Sequence, residues 1–133
     1  MKILFIQPDF NYVKQYMSDY KGHSSLGIGY LSAVLKDNGF ATALLHLNDE
    51  NITKESFINS VQLQGPDLVA YTAFTHQFEF VKKSSIWLKE SGYTKPIICG
   101  GVHTTVDPED AINVPGIDMI CIGEGGRGII RIV

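Results

Sequence analysis

Long apolar runs are missing from this 133-residue sequence. No stretch approaches the ~20 apolar residues that a membrane-spanning helix needs, so no membrane association is expected. The opening Met1-Lys2-Ile3-Leu4-Phe5-Ile6 meets Gln7-Pro8-Asp9 before it could act as a secretion signal, and it predicts a first strand instead. Cysteine is scarce: Cys99 and Cys121 stand alone in separate strand-like runs. The expectation is a cytoplasmic chain with buried thiols and no disulfide. A basic patch is lacking too. With 11 Lys and Arg against 14 Asp and Glu, and the cations scattered, there is no electrostatic footprint for nucleic acid. Low-complexity tracts, charge blocks and internal repeats are absent, and 44% hydrophobic with 19% charged residues describes a single globular domain.

What is present is an alternation of short β-branched runs with longer segments of helical period, the pattern of repeated βα units around a parallel sheet. Five runs predict strands: Lys2 to Gln7, Ala41 to Leu47, Asp67 to Thr72, Pro96 to Cys99 and Asp118 to Ile122. The middle ones are almost continuous in Val, Ile, Leu and Ala, as in strands covered on both faces. Between the first two, Leu26, Tyr30, Leu31, Val34 and Leu35 recur at helical spacing and Asn38-Gly39 supplies a stop. A second helix is expected over Thr53 to Gln64, with Phe57, Ile58 and Val61 inward and Gly65-Pro66 ending it. A third spans about His76 to Ser91, with Thr75 as N-cap and Gly92 beyond its end. Asp107-Pro108 places a capping carboxylate before a Pro at the first helical position, so a short fourth helix follows, closed by Pro115-Gly116. The sheet's expected fifth helix is not apparent. The apolar remnant Gly128 to Val133 therefore points to a piece of a longer polypeptide or to a self-associating surface.

In an open parallel sheet a ligand lies beyond the carboxyl ends of the strands, where strand order reverses. The segments expected there are Pro8 to Ser25, Leu47 to Asn51, Thr72 to His76, Gly100 to Asp107 and Gly123 to Arg127. The first far exceeds the roughly two to six residues usual for such connections, as loops that cover ligands do. Thr72-Ala73-Phe74-Thr75 sets small hydroxyls beside an aromatic ring. Gly100-Gly101 removes Cβ atoms where a strand stops, either to let a flat ligand pack on the backbone or to make a plain turn. Gly123-Glu124-Gly125-Gly126 bares main-chain N–H groups, but it follows the last strand and so is no dinucleotide fingerprint. No phosphate-cradling Gly-Lys-Ser element occurs.

Residues for catalysis do not assemble. His23, His46, His76 and His103 fall in different segments, with no pair at metal-ligand spacing on a helix. Ser24 and Ser25 adjoin His23 without an evident carboxylate orienter or oxyanion hole. Asp9 sits where phosphoacceptor domains carry carboxylates, yet it stands alone without a matching strand-end Lys.

The set Ser25-Leu26-Gly27-Ile28-Gly29-Tyr30-Leu31 through Asn38-Gly39-Phe40, Pro66-Asp67-Leu68-Val69-Ala70, Gly100-Gly101-Val102-His103-Thr104-Thr105 with Pro108-Glu109, and Gly123-Glu124-Gly125 resembles the N-terminal cobalamin-binding domain of cobalamin-dependent radical S-adenosylmethionine enzymes. The likeness covers nearly the whole chain. It implies a flavodoxin-like, Rossmann-like three-layer α/β sandwich with a five-stranded parallel sheet in the order 2-1-3-4-5. The strand ends would receive the corrin, and the nucleotide tail of cobalamin would run between strands and helices. Thr72 and Phe74 would line that tail, with Thr75 beside them, and Gly100 and Gly101 would let it pass. Val102 and His103 would border the corrin. Gly123, Glu124 and Gly125 match the family's last loop, although Gly126 stands where a second Glu is usual. Pro8, His23, Leu26 and Gly27 complete the expected contacts around the first loop.

Two departures matter. Relatives that bind cobalt through a protein His use an Asp-x-His-x-x-Gly motif after the first strand; here Gly27 lies four positions past His23 and Asp19 four before it. The lower face of the corrin is thus expected to lack a protein ligand. No Cys-x-x-x-Cys-x-x-Cys run occurs, so the [4Fe-4S] cluster and S-adenosylmethionine would belong to a downstream radical domain in cis. The chain is then a binding module and not itself an enzyme. Other readings of the same fold are an FMN-binding module, a small α/β enzyme using the His23 loop, and a structural or interaction domain without cofactor.

Overall fold

The computed structural model describes residues 1–9, 26–49, 51–73 and 77–123. In chain order they form β1 (Lys2–Pro8), α1 (Leu26–Asp37), β2 (Ala41–Leu47), α2 (Lys54–Gln64), β3 (Leu68–Thr72), α3 (Phe78–Glu90), β4 (Ile97–Gly100), α4 (Val102–Val106), α5 (Pro108–Ile112) and β5 (Met119–Ile120). All strand pairs are parallel and the sheet order is β2-β1-β3-β4-β5. The expected three-layer architecture and strand order are therefore those found.

Alternation of side chains along the strands divides the interior into two cores. Leu4, Ile6, Val69, Tyr71, Ile97 and Cys99 meet Phe57 and Val61 of α2, Phe78, Val81 and Leu88 of α3, and Ala111 of α5. Ile3, Phe5, Leu68, Ala70 and Ile98 face the other way, onto Ile28 and Leu35 of α1. The continuous apolar runs of β1, β3 and β4 follow from this two-sided cover. Phe57, fully buried, stands edge-on to Phe80 at 5.7 Å and tilted to Trp87 at 6.0 Å between ring centroids. Tyr71 is buried with its hydroxyl 2.8 Å from that of Ser84, and burial raises its pKa well above the ordinary phenol value.

Local signals explain the boundaries. The Thr53 hydroxyl accepts from the Ser56 N–H and Gly65 ends α2 in the left-handed region. Gly39, at φ 86°, ends α1 as Asn38-Gly39 predicts. Asp107 accepts from the Asp110 N–H ahead of Pro108, as expected for α5. The strands after Asp67 and Asp118 start one residue later than expected, where both carboxylates bond a neighbouring strand, and β5 also ends at Ile120, two residues short of the expected Ile122. Asp67 accepts from the Lys2 N–H and Asp118 from the Ile97 N–H, each at 2.8 Å.

Three expectations need correction. Tyr30 is 60% exposed, because the buried stripe of α1 runs through Ile28, Leu31 and Leu35 and leaves position 30 on the far side. Helix α3 begins at Phe78 with Gln77 in the cap position; Thr75 lies outside the described residues. The stretch expected as a loop after β4 contains a helical turn, α4. Both cysteines are free thiols, Cys99 buried and Cys121 half-buried, and burial pushes the Cys99 thiol up to about 11. No helix among the described residues is long and apolar enough to cross a membrane.

Candidate functional site

Parallel pairing places all five strand carboxyl ends at one pole. The order β2-β1-β3-β4-β5 reverses between β1 and β3, so the crevice for a ligand opens above their ends. A cleft of about 320 Å³ lined by Val61, Gly65, Pro66, Leu88, Tyr93 and Lys95 lies instead where β3 and β4 begin, the wrong pole for such a ligand. Strand topology is the stronger guide here, because the crevice follows from where connections diverge.

At the end of β4 the two glycines differ. Gly101 has φ 101°, and a Cβ there would meet Ala73 N, Ala73 O and Thr72 Oγ1 at 2.9 Å. The room it leaves is filled by the end of β3. Gly100 is unstrained, and a Cβ on it would make ordinary contact with Cys121 at 3.6 and 3.7 Å. The close approach at Gly101 is stitched by two long backbone bonds, Ala73 N–H to Gly100 O at 3.4 Å and His103 N–H to Ala73 O at 3.2 Å. Thr72, half-buried, and Gly100 are paired in register at this edge.

Val102 and His103, expected as neighbours of one ligand face, part company. Val102 is 50% exposed. His103 is buried: its ring stacks on Phe78 at 4.0 Å and its Nε2 lies 2.8 Å from Asp110 Oδ2. Lys82 reaches Asp110 at 3.4 Å and stands 5.5 Å over the Phe78 ring. Hydrogen bonding from His103, and then from Lys82, holds the Asp110 carboxyl below its usual range against its partial desolvation. This cluster pins α4 and α5 to α3.

Val106, on the same turn, and Ile122, after β5, are also exposed. The Thr105 hydroxyl donates to Gly101 O at 3.2 Å and accepts from the Gly123 N–H at 3.0 Å, which ties the loop after β5 to α4. At the other flank Pro8 is fully buried, and Asp9, also buried, meets His46 Nε2 through Oδ2 at 2.9 Å. In the sequence Asp9 stands alone and His46 is one of four dispersed histidines. Their pairing follows from the β1–β2 register, Gln7 opposite His46 and Pro8 opposite Leu47. An alternating edge strand with His one residue before its end is the available signal.

His23, Phe74, Thr75, Glu124 and Gly125 lie outside the described residues, as do the side chains of Leu26 and Gly27 and the remnant 128–133. No group of three or more metal-ligating side chains occurs among the described residues. Among the described residues the strand ends and α4 thus carry the exposed side chains of Val102, Val106 and Ile122, the hydroxyls of Thr72 and Thr105, and the His46 imidazole.

Comparison with known proteins bears on the family and the fold. Residues 12–132 match the family described as B12 binding domain. The cobalamin-dependent S-adenosylmethionine radical enzyme OxsB, solved with aqua-cobalamin and S-adenosylmethionine bound, is similar over 98% of this chain at 19% identity and a TM-score of 0.70. This chain spans 18% of OxsB's length. The monomethylamine corrinoid protein of Methanosarcina barkeri is similar over 99% of this chain and 58% of its own, at 14% identity and a TM-score of 0.62. The N-terminal domain of a hypothetical protein of Thermotoga maritima follows at 22% identity and a TM-score of 0.56, covering 83% of this chain and 85% of that one. At such identities the likeness to solved structures is one of fold. No curated protein matches the chain.

Proposed function

Because the chain belongs to the B12-binding domain family, we propose that it is a cobalamin-binding module that presents the corrin to a radical S-adenosylmethionine domain of the same polypeptide. The observation that carries the cobalamin part is the family match across residues 12–132. OxsB, of which this chain spans 18%, supports the radical partner: the remainder of such a protein has room for the [4Fe-4S] cluster and S-adenosylmethionine. In this reading residues 1–133 are one module of a longer protein.

The described residues fit the group. A corrin has apolar faces and an amide-bearing edge; exposed Val102, with Thr72, Gly100 and Gly123 at neighbouring strand ends, offers apolar contact, a hydroxyl and bare backbone. When bound, cobalamin supplies the cobalt-centred chemistry, and the protein supplies placement. Gly101 holds the β3 and β4 ends at a fixed spacing, and the Thr105 bridge sets the Gly123 loop against α4. His103 acts from beneath, by fixing the α4 turn that carries Val102.

The test is titration of the purified chain with hydroxocobalamin, then desalting and a visible spectrum. Retained corrin is expected, with a base-off spectrum in keeping with no protein ligand on the lower face. Retention of FMN in place of corrin would overturn the reading. A His-on spectrum lost in His23→Ala would overturn the account of the lower face.

A further inference from the structure

We infer that Asp9 and His46 form a ligand contact for the amide rim of the corrin, with His46 Nδ1 as the accepting atom. The inference rests on the cobalamin-binding reading above and assigns it a residue pair that neither the sequence motifs nor the resemblance singles out.

The pair is built, not incidental. Asp9 is only 6% exposed, its N–H donates to Leu47 O at 2.6 Å, and its Oδ2 lies 2.9 Å from His46 Nε2. A carboxylate oxygen only accepts, so Nε2 carries a proton, and in that tautomer the lone pair of Nδ1 is the ring's acceptor. The His46 side chain is 38% exposed, and Asp9 is its sole hydrogen-bond partner among the described residues. A buried carboxylate thus fixes the tautomer and tilt of a partly open imidazole that has one acceptor to spare.

Position decides what that acceptor meets. Neighbouring strands are ~4.8 Å apart, so the end of β2 lies roughly 7 Å to the side of the β1–β3 crevice. For a corrin centred on that crevice, the rim would be the part nearest the end of β2. The edge bears amide N–H donors, the complement of an imidazole nitrogen that accepts.

The test measures affinities by absorbance titration for the wild-type chain, His46→Ala and His46→Asn. The ligands are hydroxocobalamin and a set of cobalamins with one peripheral amide each converted to carboxylate. A net hydrogen bond of ordinary strength corresponds to a roughly tenfold effect. His46→Ala is expected to weaken hydroxocobalamin binding by about that factor, and His46→Asn, which keeps an acceptor near the Nδ1 position, to recover part of it. One monocarboxylate should bind wild type about tenfold more weakly than hydroxocobalamin yet bind His46→Ala no worse. Thermal midpoints of the variants separate this from loss of folding. Equal affinity in wild type and His46→Ala, or no monocarboxylate whose penalty depends on His46, overturns the inference alone. A nitrogen-ligated cobalt spectrum that disappears in His46→Ala overturns it in favour of direct ligation. A wild-type chain that retains no corrin overturns the cobalamin reading and this inference together.

Discussion

Replacing Gly101 by Ala tests what the glycine pair is for. The residue sits at φ 101° and ψ -172°, a region open essentially to Gly alone, and holding another residue there costs on the order of 1–3 kcal/mol. The new methyl would also stand 2.9 Å from Ala73 N, Ala73 O and Thr72 Oγ1. Two of those atoms are backbone and cannot swing aside, so overpacking adds a further ~1–3 kcal/mol. Together the loss is about 2–6 kcal/mol, a large share of the ~5–15 kcal/mol typical of a domain. Near the middle of that range the thermal midpoint falls by roughly 12–20 °C for a chain of this size. Gly100→Ala is the control. Its methyl would meet Cys121 no closer than 3.6 Å at an ordinary φ, so its cost should stay within about 1 kcal/mol. Urea and thermal unfolding followed by circular dichroism give both values. If Gly101→Ala melts with Gly100→Ala, the argument from strain and crowding is refuted. If Gly100→Ala keeps its stability but loses corrin, Gly100 is the member of the pair that faces the ligand.

Phe57→Ala removes a fully buried ring between Phe80 and Trp87 and should cost about 3–5 kcal/mol in urea unfolding; a loss under about 1 kcal/mol would mean the α2–α3 layer repacks freely. Hydrogen bonds from His103 and Lys82 hold the folded pKa of Asp110 below its ordinary value, so it favours folding at pH above the unfolded value and loses that effect as pH falls through the lowered one. The acid limb of stability against pH should therefore flatten in Asp110→Asn, and an unchanged limb between pH 5 and about 2 would contradict the assigned bond to His103. Native Cys99, with its thiol raised to about 11, should react with a disulfide reagent at pH 8 far more slowly than in urea, and Cys121 at an intermediate rate. Equal native and denatured rates would contradict the packing of β4.

Much of the architecture was legible because it rests on period and punctuation. Continuous apolar runs marked β1, β3 and β4, and Gly39, Gly65 and Asp107-Pro108 marked helix ends through backbone conformations that few residues adopt. What escaped depends on contacts distant in sequence. The α4 turn Val-His-Thr-Thr-Val is β-branched and looks extended; it is helical because Gly101 turns the chain and His103 is drawn onto Phe78 and Asp110. Tyr30 was misplaced by a phase error of the stripe within α1, which only the packing of Ile28 and Leu35 resolves. The candidate site was legible as strand ends but not as partners. Val102 and His103 are adjacent in sequence yet lie on opposite sides of the α4 surface, whereas Asp9 and His46, 37 residues apart, meet.

The unequal cores carry a consequence for how the domain could yield. Among the described residues, seventeen buried side chains knit the sheet to α2, α3 and α5, while seven hold it to α1. Cooperative units with fewer buried contacts open at lower free energy than the whole molecule. Lifting α1 would bare one face of β1 and β3 and leave the opposite core intact. The amides of α1 are therefore expected to exchange with solvent ahead of those of α3 and the central strands.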